Sequence, residues 1–447
     1  MIMFYMIFMK KKINYLFIVF IFNFNSVFSQ NINLIRDAEI ENFIYDLSSP
    51  ILKSARLEKE NINFYLDQQS FVNAFVTFGN NIFLTTELIK KVKNVDQIAG
   101  VIAHEIGHLK GGHLNKRLNE SKSSLLNSVL SGILAAGAIA AGSAEAGTAI
   151  IMGGQHINRQ SMLSFSRKQE SYADQAAIKY LKSSNYSVRG MVELFTLLEQ
   201  NERFSNINPY SITHPLSKER KKIVKLHLYE QEELTKNYEL NQRLKIVQAK
   251  LIGFIIDTNK VSKYYPLDQK TKESCYANSI KYYRMGQISN SLKFIDLCIE
   301  LDNKNPYFHE LKGQILYENG DSKLAINAFK NALERKKNEK FFHLALAKAY
   351  YSSGKRENYL KSIELLKKYI KEDKFPVEAW HYMALSYGKL KNFSFAALAL
   401  AEKFLLLNDI KNAKQQLKKI EKINDKNPEI ISLVEDIKNT IAQREKK

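Results

Sequence analysis

Two cysteines in 447 residues exclude a disulfide-stapled scaffold, and seven prolines with 18 glycines exclude a collagen-like or Pro/Gly-rich chain. Acidic residues are also scarce, since 46 Asp+Glu face 66 Lys+Arg for a formal net charge of +20. An acidic disordered tail is therefore ruled out. The surplus favours acidic partners such as anionic headgroups, lipopolysaccharide or nucleic acid without distinguishing them. No nucleic-acid recognition motif accompanies the charge, so no nucleic-acid partner is expected. With 45% hydrophobic and 25% charged residues, the chain reads as a folded, water-soluble protein and not a polytopic membrane one. Its length exceeds what one core usually organises, so at least two domains are expected.

At the N-terminus, Lys10, Lys11 and Lys12 precede the apolar stretch Ile13–Phe24 and a short polar piece ending Val27-Phe28-Ser29. That is the three-part pattern of a secretory signal peptide, read here as residues 1–29, with Met9 as the candidate true start. An uncleaved anchor is the competing reading. Removing residues 1–29 deletes three lysines and no acid, so the charge falls only from +20 to +17 and belongs to the folded part. Export together with Phe/Ile/Asn/Lys-rich usage points to the periplasm of a Gram-negative bacterium.

Beyond Gln30, Asp37–Leu57 reads as a helix and Ile62–Leu66 as a strand, followed by strands at Asn73–Val76 and Asn81–Leu84 around a Gly79-Asn80 turn. Thr85/Thr86 and Asp96 read as N-caps of the next two helices. The 22 residues Ser123–Ala144 carry no charge, but Ala and Gly add little hydrophobicity, and Asn127, Ser128 and Ser131 dilute it further. A helical hairpin near the active site, giving peripheral membrane contact through 123–158, fits better than a span; a small-residue core helix is the plain alternative. Helical patterning resumes over Ser166–Leu181 and Arg189–Asn201, and 231–268 reads as a polar helical connector.

The remainder, 269–447, is periodic. Gly286, Gly320 and Gly354 stand 34 residues apart, the period of tetratricopeptide repeats, each between an aromatic-bearing helix and an Ala-bearing one. In a fourth unit, Val377–Leu407, Lys391 takes the glycine's place, and 410–423 with 429–441 make a divergent cap. Stacked helix pairs form a superhelix whose concave face holds a protein partner. Cys275 and Cys298 fall at the outer ends of the first pair, where a disulfide and two buried thiols are both open.

The chemistry lies in His104-Glu105-Ile106-Gly107-His108. Positions i and i+4 share a helical face, so two imidazoles converge on one ion and Glu105 reaches a water beside it. By residue frequencies, roughly one chain in 100 of this length carries H-E-x-x-H by chance. His113 lies nine residues from His104, half a turn around the helix, which excludes it from the same ion. It reads as a helix-end histidine or one outside the ligand set. Gly111-Gly112 end or bend the helix. A third ligand is needed, and Glu170 with Asp174 one turn later form a candidate pair, although two acids at that spacing are more often a solvated face.

Asn73-Ala74-Phe75, His104–His108, Glu170-x-x-Ala173-Asp174 and Thr213-His214-Pro215 with Arg220 resemble, in order, the gluzincin zinc metallopeptidase family of the CAAX prenyl protease and HtpX type. A signal peptide in front and tetratricopeptide repeats behind resemble its periplasmic branch. The resemblance implies a mainly α fold: a zincin-like metallopeptidase domain of helices with a small β-sheet over 30–230, then an α-solenoid. It implies one Zn²⁺ held by His104, His108 and Glu170, with Asp174 orienting a ligand histidine and Glu105 as general base. His214 and Arg220 would face the oxyanion, and His214 would also serve as a reversible plug. Asn73, Ala74 and Phe75 would pair with an extended substrate.

The expected activity is that of a periplasmic endopeptidase, with chaperone activity, which degrades misfolded or stalled outer-membrane proteins and supports outer-membrane assembly. Its repeats would dock the outer-membrane β-barrel assembly machinery and unfolded outer-membrane proteins. The rivals are a non-proteolytic scaffold with a plugged zinc site and an integral-membrane protease with 123–144 as its span.

Overall fold

The computed structural model describes residues 33–77, 79–116, 166–204, 214–215, 218–228 and 237–445. The expected signal peptide 1–29 and the stretch 123–158 lie outside the described residues. The chain is mainly helical with one small sheet. Strand β1 (Leu34–Ile35) leads to helix α1 (Ala38–Ser54), whose first turn is capped by Asp37 accepting from Ile40 N. Strands β2 (Asn63–Asp67), β3 (Ala74–Thr77) and β4 (Asn81–Thr85) complete the sheet in the order β1-β2-β4-β3. β2 and β4 run parallel, while β3 and β4 form the expected hairpin, which turns through Gly79 and Asn80 at φ 79° and 59°. β3 is an edge of the sheet.

Thr85 caps α2 (Thr86–Lys91) as expected, but α3 (Val95–Lys110) begins earlier than the sequence suggested. Asn94 is its cap, accepting from Gln97 N. Asp96 instead accepts the Ser187 N–H at 3.0 Å, anchoring a chain segment far away in sequence. Every residue of α3 from Gln97 to His108 is buried. Ile98, Ile102 and Ile106 pack with Phe43, Leu47 and Ile51 of α1 and with Leu66, Ile82 and Leu84 of the sheet. At about 2 kcal/mol for each large apolar side chain removed from water, this core keeps the motif helix rigid. No described helix is long and apolar enough to cross a membrane.

The C-terminal half is five antiparallel helix pairs: α9/α10 (Lys272–Arg284, Ile288–Leu301), α11/α12 (Pro306–Glu318, Ser322–Arg335), α13/α14 (Lys340–Ser352, Arg356–Glu372), α15/α16 (Val377–Lys389, Phe393–Leu406) and α17/α18 (Ile410–Ile423, Pro428–Glu445). Gly286, Gly320 and Gly354 turn the first three pairs at φ 70°, 89° and 73°. Only a residue tolerant of the left-handed region closes a helix this way at low cost, which explains the spacing that the sequence displays. Lys391 makes the same turn at φ 62°. Cys275 and Cys298 are disulfide-bonded across the first pair, with Cα atoms 5.7 Å apart.

Between the halves lies α7 (Tyr238–Ile255), followed by the short α8 (Thr258–Tyr264), in the stretch that reads as a polar connector; α7 is not the exposed linker that this reading suggests. It is buried on two faces instead. Leu244, Val247 and Leu251 join the core around α1 and α3, while Ile246 packs with Tyr276 and Ile280 of the first pair. The interspersed Gln, Arg and Lys residues mask this double face in the sequence.

A second junction joins β1 to the third pair. Arg36 Nη2 and Lys340 Nζ both reach Asp373 Oδ2, at 2.7 and 2.9 Å, and Arg36 stacks over Phe341. Burial works against the Asp373 charge, but hydrogen bonds from Arg36 and Lys340 prevail and hold the carboxyl at about 2 against an ordinary 3.8. A depressed carboxylate contributes stability that is present above pH ~4 and lost as pH falls through ~2, here about 2 kcal/mol. Asp373→Asn should therefore lower the urea-unfolding free energy by about that amount at pH 7, with the difference closing near pH 2. Equal stability at pH 7 would show that the clamp contributes nothing.

Candidate metal centre

The rigid α3 presents His104, Glu105 and His108 on its inner side. Helix α4 (Arg167–Ser183) crosses it closely because position 107 has no side chain: a Cβ there would sit 2.9 Å from the Ala173 Cα and carbonyl oxygen. Gly107 inside the motif thus sets the helix spacing that brings Glu170 and Asp174 to the histidines. Ser166 and Gln169 fix the start of α4 through a capping box. His214 enters from a separate segment, and Arg220 from α6 (Lys218–Leu226), which packs near α4 and α5 (Arg189–Phe204).

Four side chains converge. His104 Nε2 lies 3.0 Å from His108 Nε2 and 3.3 Å from His214 Nδ1. Glu170 Oε1 stands 3.2 Å from His108 Nε2 and 3.1 Å from His214 Nδ1, and its Oε2 lies 3.4 Å from His104 Nε2. One donor atom from each of the four residues falls within 4.8 Å of all the others, and all four residues are buried. For metal bonds of about 2.1 Å, tetrahedral ligands stand about 3.4 Å apart, so this donor set suits a single divalent ion. A group of three buried imidazoles and one carboxylate all turned toward one point is otherwise hard to account for.

The surroundings favour the same occupant. Arg220 grips Asp174 through Nε and Nη2 at 2.7 and 2.9 Å, and its Nη1 lies 2.7 Å from Glu170 Oε2 and donates to the Pro215 carbonyl at 2.9 Å. Asp174 Oδ1 in turn lies 2.9 Å from His104 Nδ1, which leaves Nε2 of that ring for the ion. Burial opposes the Glu170 charge, but hydrogen bonds from His104, His108 and His214 hold its carboxyl far below the usual carboxylate range. Glu105 is wholly buried, and neither carboxylate oxygen has a hydrogen-bond partner among the described residues. His214 Nε2 lies 3.6 Å from its Oε1. Burial pushes the Glu105 carboxyl up, partly offset by His214 and His104.

The residues that the resemblance singled out therefore come together: His104, Glu105, His108, Glu170, Asp174, His214 and Arg220 form one buried cluster. Asn73, Ala74 and Phe75 contribute no donor to it; Asn73 stands just before and the other two within the edge strand β3, which packs against α3, and Phe75 stacks on Phe83 with centroids 5.0 Å apart. The sequence allowed His113 to stand just outside the ligand set without giving its contact: its Nδ1 lies 2.9 Å from His108 Nδ1. The glycine pair ahead of it was the available signal.

Residues 35–226 match the family model for Peptidase family M48. The Beta-barrel assembly-enhancing protease of Escherichia coli (strain K12) is 24% identical over 389 residues, covering 85% of this chain and 78% of that one. Its namesake from Yersinia pestis is 25% identical over 327 residues, 71% of this chain and 66% of the relative. A TPR repeat-containing protein of Methanocaldococcus jannaschii is 30% identical over 120 residues, covering 27% of this chain and 20% of its own.

Proposed function

Residues 35–226 belong to peptidase family M48, and from that premise we propose that this metallopeptidase is a periplasmic zinc endopeptidase acting on misfolded or stalled outer-membrane proteins, with chaperone activity. The observation that carries the chemistry is the buried convergence of His104, His108, Glu170 and His214 beside a Glu105 that no described donor satisfies. In this reading His104, His108 and Glu170 hold one Zn²⁺ per chain, and Asp174 orients His104. The ion supplies a Lewis acid and makes water a competent nucleophile near neutral pH.

Glu105 takes the proton of the attacking water and returns it to the leaving amine. Burial raises the Glu105 carboxyl, toward the range in which a group both accepts and returns a proton near neutral pH. His214 occupies the fourth side of the cluster as a plug, and on displacement by substrate its ring donates to the developing oxyanion. Arg220 holds Glu170 and Asp174 in place while its charge also favours the oxyanion. In the same reading Asn73, Ala74 and Phe75, at the edge strand β3, pair with an extended substrate, a mode that gives affinity with little side-chain selectivity. Such indifference suits clients defined by being unfolded. The repeats dock the outer-membrane β-barrel assembly machinery, which is the reading that the relatives' names support.

Purified protein should contain one zinc per chain and cut casein into fragments. A chelator should abolish cleavage, and added zinc should restore it. The rival, a scaffold with a closed zinc site, predicts retained zinc with no fragments under any of these conditions, and that result would overturn the enzyme reading.

A further inference from the structure

We infer that His113 is a positioning residue for the metal centre: it accepts a hydrogen bond from Nδ1–H of His108 and so holds that ring with Nε2 toward the ion. The inference rests on the reading that His108 is a ligand. His108 Nε2 is the atom turned toward His104 and Glu170, at 3.0 and 3.2 Å. Its opposite nitrogen, Nδ1, lies 2.9 Å from His113 Nδ1. A neutral ligand imidazole that binds a metal through Nε2 carries its proton on Nδ1, so His113 Nδ1 is the acceptor of that contact.

The backbone is shaped for this contact. α3 ends at Lys110, and Gly112 turns the chain at φ 61°, a value that a side chain disfavours. The turn carries His113 back over the end of its own helix, where the sequence period alone would put it half a turn away. Position 111 has no Cβ because the imidazole occupies that space: a Cβ on Gly111 would lie 2.3 Å from His113 Nε2 and 2.8 Å from two ring carbons. The Tyr172 ring of α4 meets the other side edge-on, with centroids 5.4 Å apart, and His113 is 3% exposed. The glycine pair thus forms a seat for one ring. The two ligand histidines are braced differently, His104 by the Asp174 carboxylate and His108 by a neutral ring from the same helix end.

Losing an outer partner of a ligand histidine weakens metal binding by about 10–100-fold. His113→Leu, which fills the space without an acceptor, should therefore lower zinc affinity by that factor in competition with a chromogenic chelator. His113→Gln, whose side-chain oxygen accepts, should recover most of the loss. Gly111→Ala should reproduce the loss with His113 intact, because the new methyl displaces the ring. In wild-type protein selectively labelled with ¹⁵N-histidine, zinc loading should reveal scalar coupling between the two Nδ1 atoms.

Zinc affinity of His113→Leu equal to wild type would overturn the inference while leaving the metal site intact. A loss that His113→Gln does not recover, with no coupling in the wild type, would reduce His113 to a space-filler and overturn it as well. Wild-type protein that binds no zinc would instead remove the metal-site reading on which the inference stands.

Discussion

Glu105→Gln is expected to lower kcat for casein cleavage by about 10²–10⁴-fold while the protein retains its zinc. Glutamine preserves the volume and shape of the side chain but cannot carry the proton between water and leaving amine. The site tolerates the exchange because Glu105 is wholly buried and its two oxygens accept no hydrogen bond from described residues, so no structural donor is orphaned. The other members of the cluster keep their contacts through His104, His108, Glu170 and His214. Burial already disfavours the charged form of Glu105, so the neutral variant should fold at least as stably as the parent. Lost activity with unchanged zinc content and unchanged thermal melting isolates the proton-transfer role. Activity equal to wild type would mean that some other group moves the proton.

The largest stability effect should come from Lys250, far from the metal centre. Its ammonium lies 2.6 Å from Asp37 Oδ2 and 3.4 Å from Glu39 Oε2, and only 3% of the residue is exposed. Tyr276 of the first repeat donates to the same Glu39 carboxylate at 2.9 Å. Burial works against the Lys250 charge, but Asp37, Tyr276 and Glu39 prevail and hold its proton well above the ordinary lysine range. Burial also pushes Glu310 of α11 up to about 7, with Lys250 opposing. One cation therefore balances carboxylates contributed by both halves of the chain.

Lys250→Met keeps most of the volume and leaves those acids without their balancing cation, at a cost of about 3–5 kcal/mol. Urea unfolding at pH 7 reads the loss directly. The deficit should shrink as pH is lowered, because the stranded carboxyls then protonate, and adding Glu39→Gln should recover part of it. A deficit below about 1 kcal/mol would show that water reaches the cluster and screens it.

Both predictions concern buried charge, and that is where the sequence was least legible. His104 and His108 could be paired from spacing because four residues along a helix return to the same face. Glu170 and Asp174 obey the same rule within their own helix, yet the spacing alone equally described a solvated face. Only the resemblance singled them out, and only the close crossing at Gly107 sets Glu170 against the histidines. The fork of Arg220 on Asp174 and Glu170 has no local signature at all. Asp96 looked like a cap because Asp is a good cap residue, but the chain had another use for its carboxylate at Ser187.

The repeats were legible for the opposite reason. A left-handed turn every 34 residues demands glycine at Gly286, Gly320 and Gly354, so backbone geometry is written directly into residue type. Lys391 shows the limit of that rule, since it makes the same turn at φ 62° without glycine.

By itself, the sequence determined whatever depends on a few neighbouring residues: the ligand pair on one helix, the strand hairpin, the period of the superhelix and the surplus of positive charge. Tertiary structure alone decided which distant groups share a buried space, placing His214 against His104 across 110 residues, folding His113 back on His108, and setting Lys250 among acids from both halves. The physical reason is that local periodicity follows from backbone geometry, whereas the pairing of a buried charge or imidazole is settled by which surfaces pack together and exclude water.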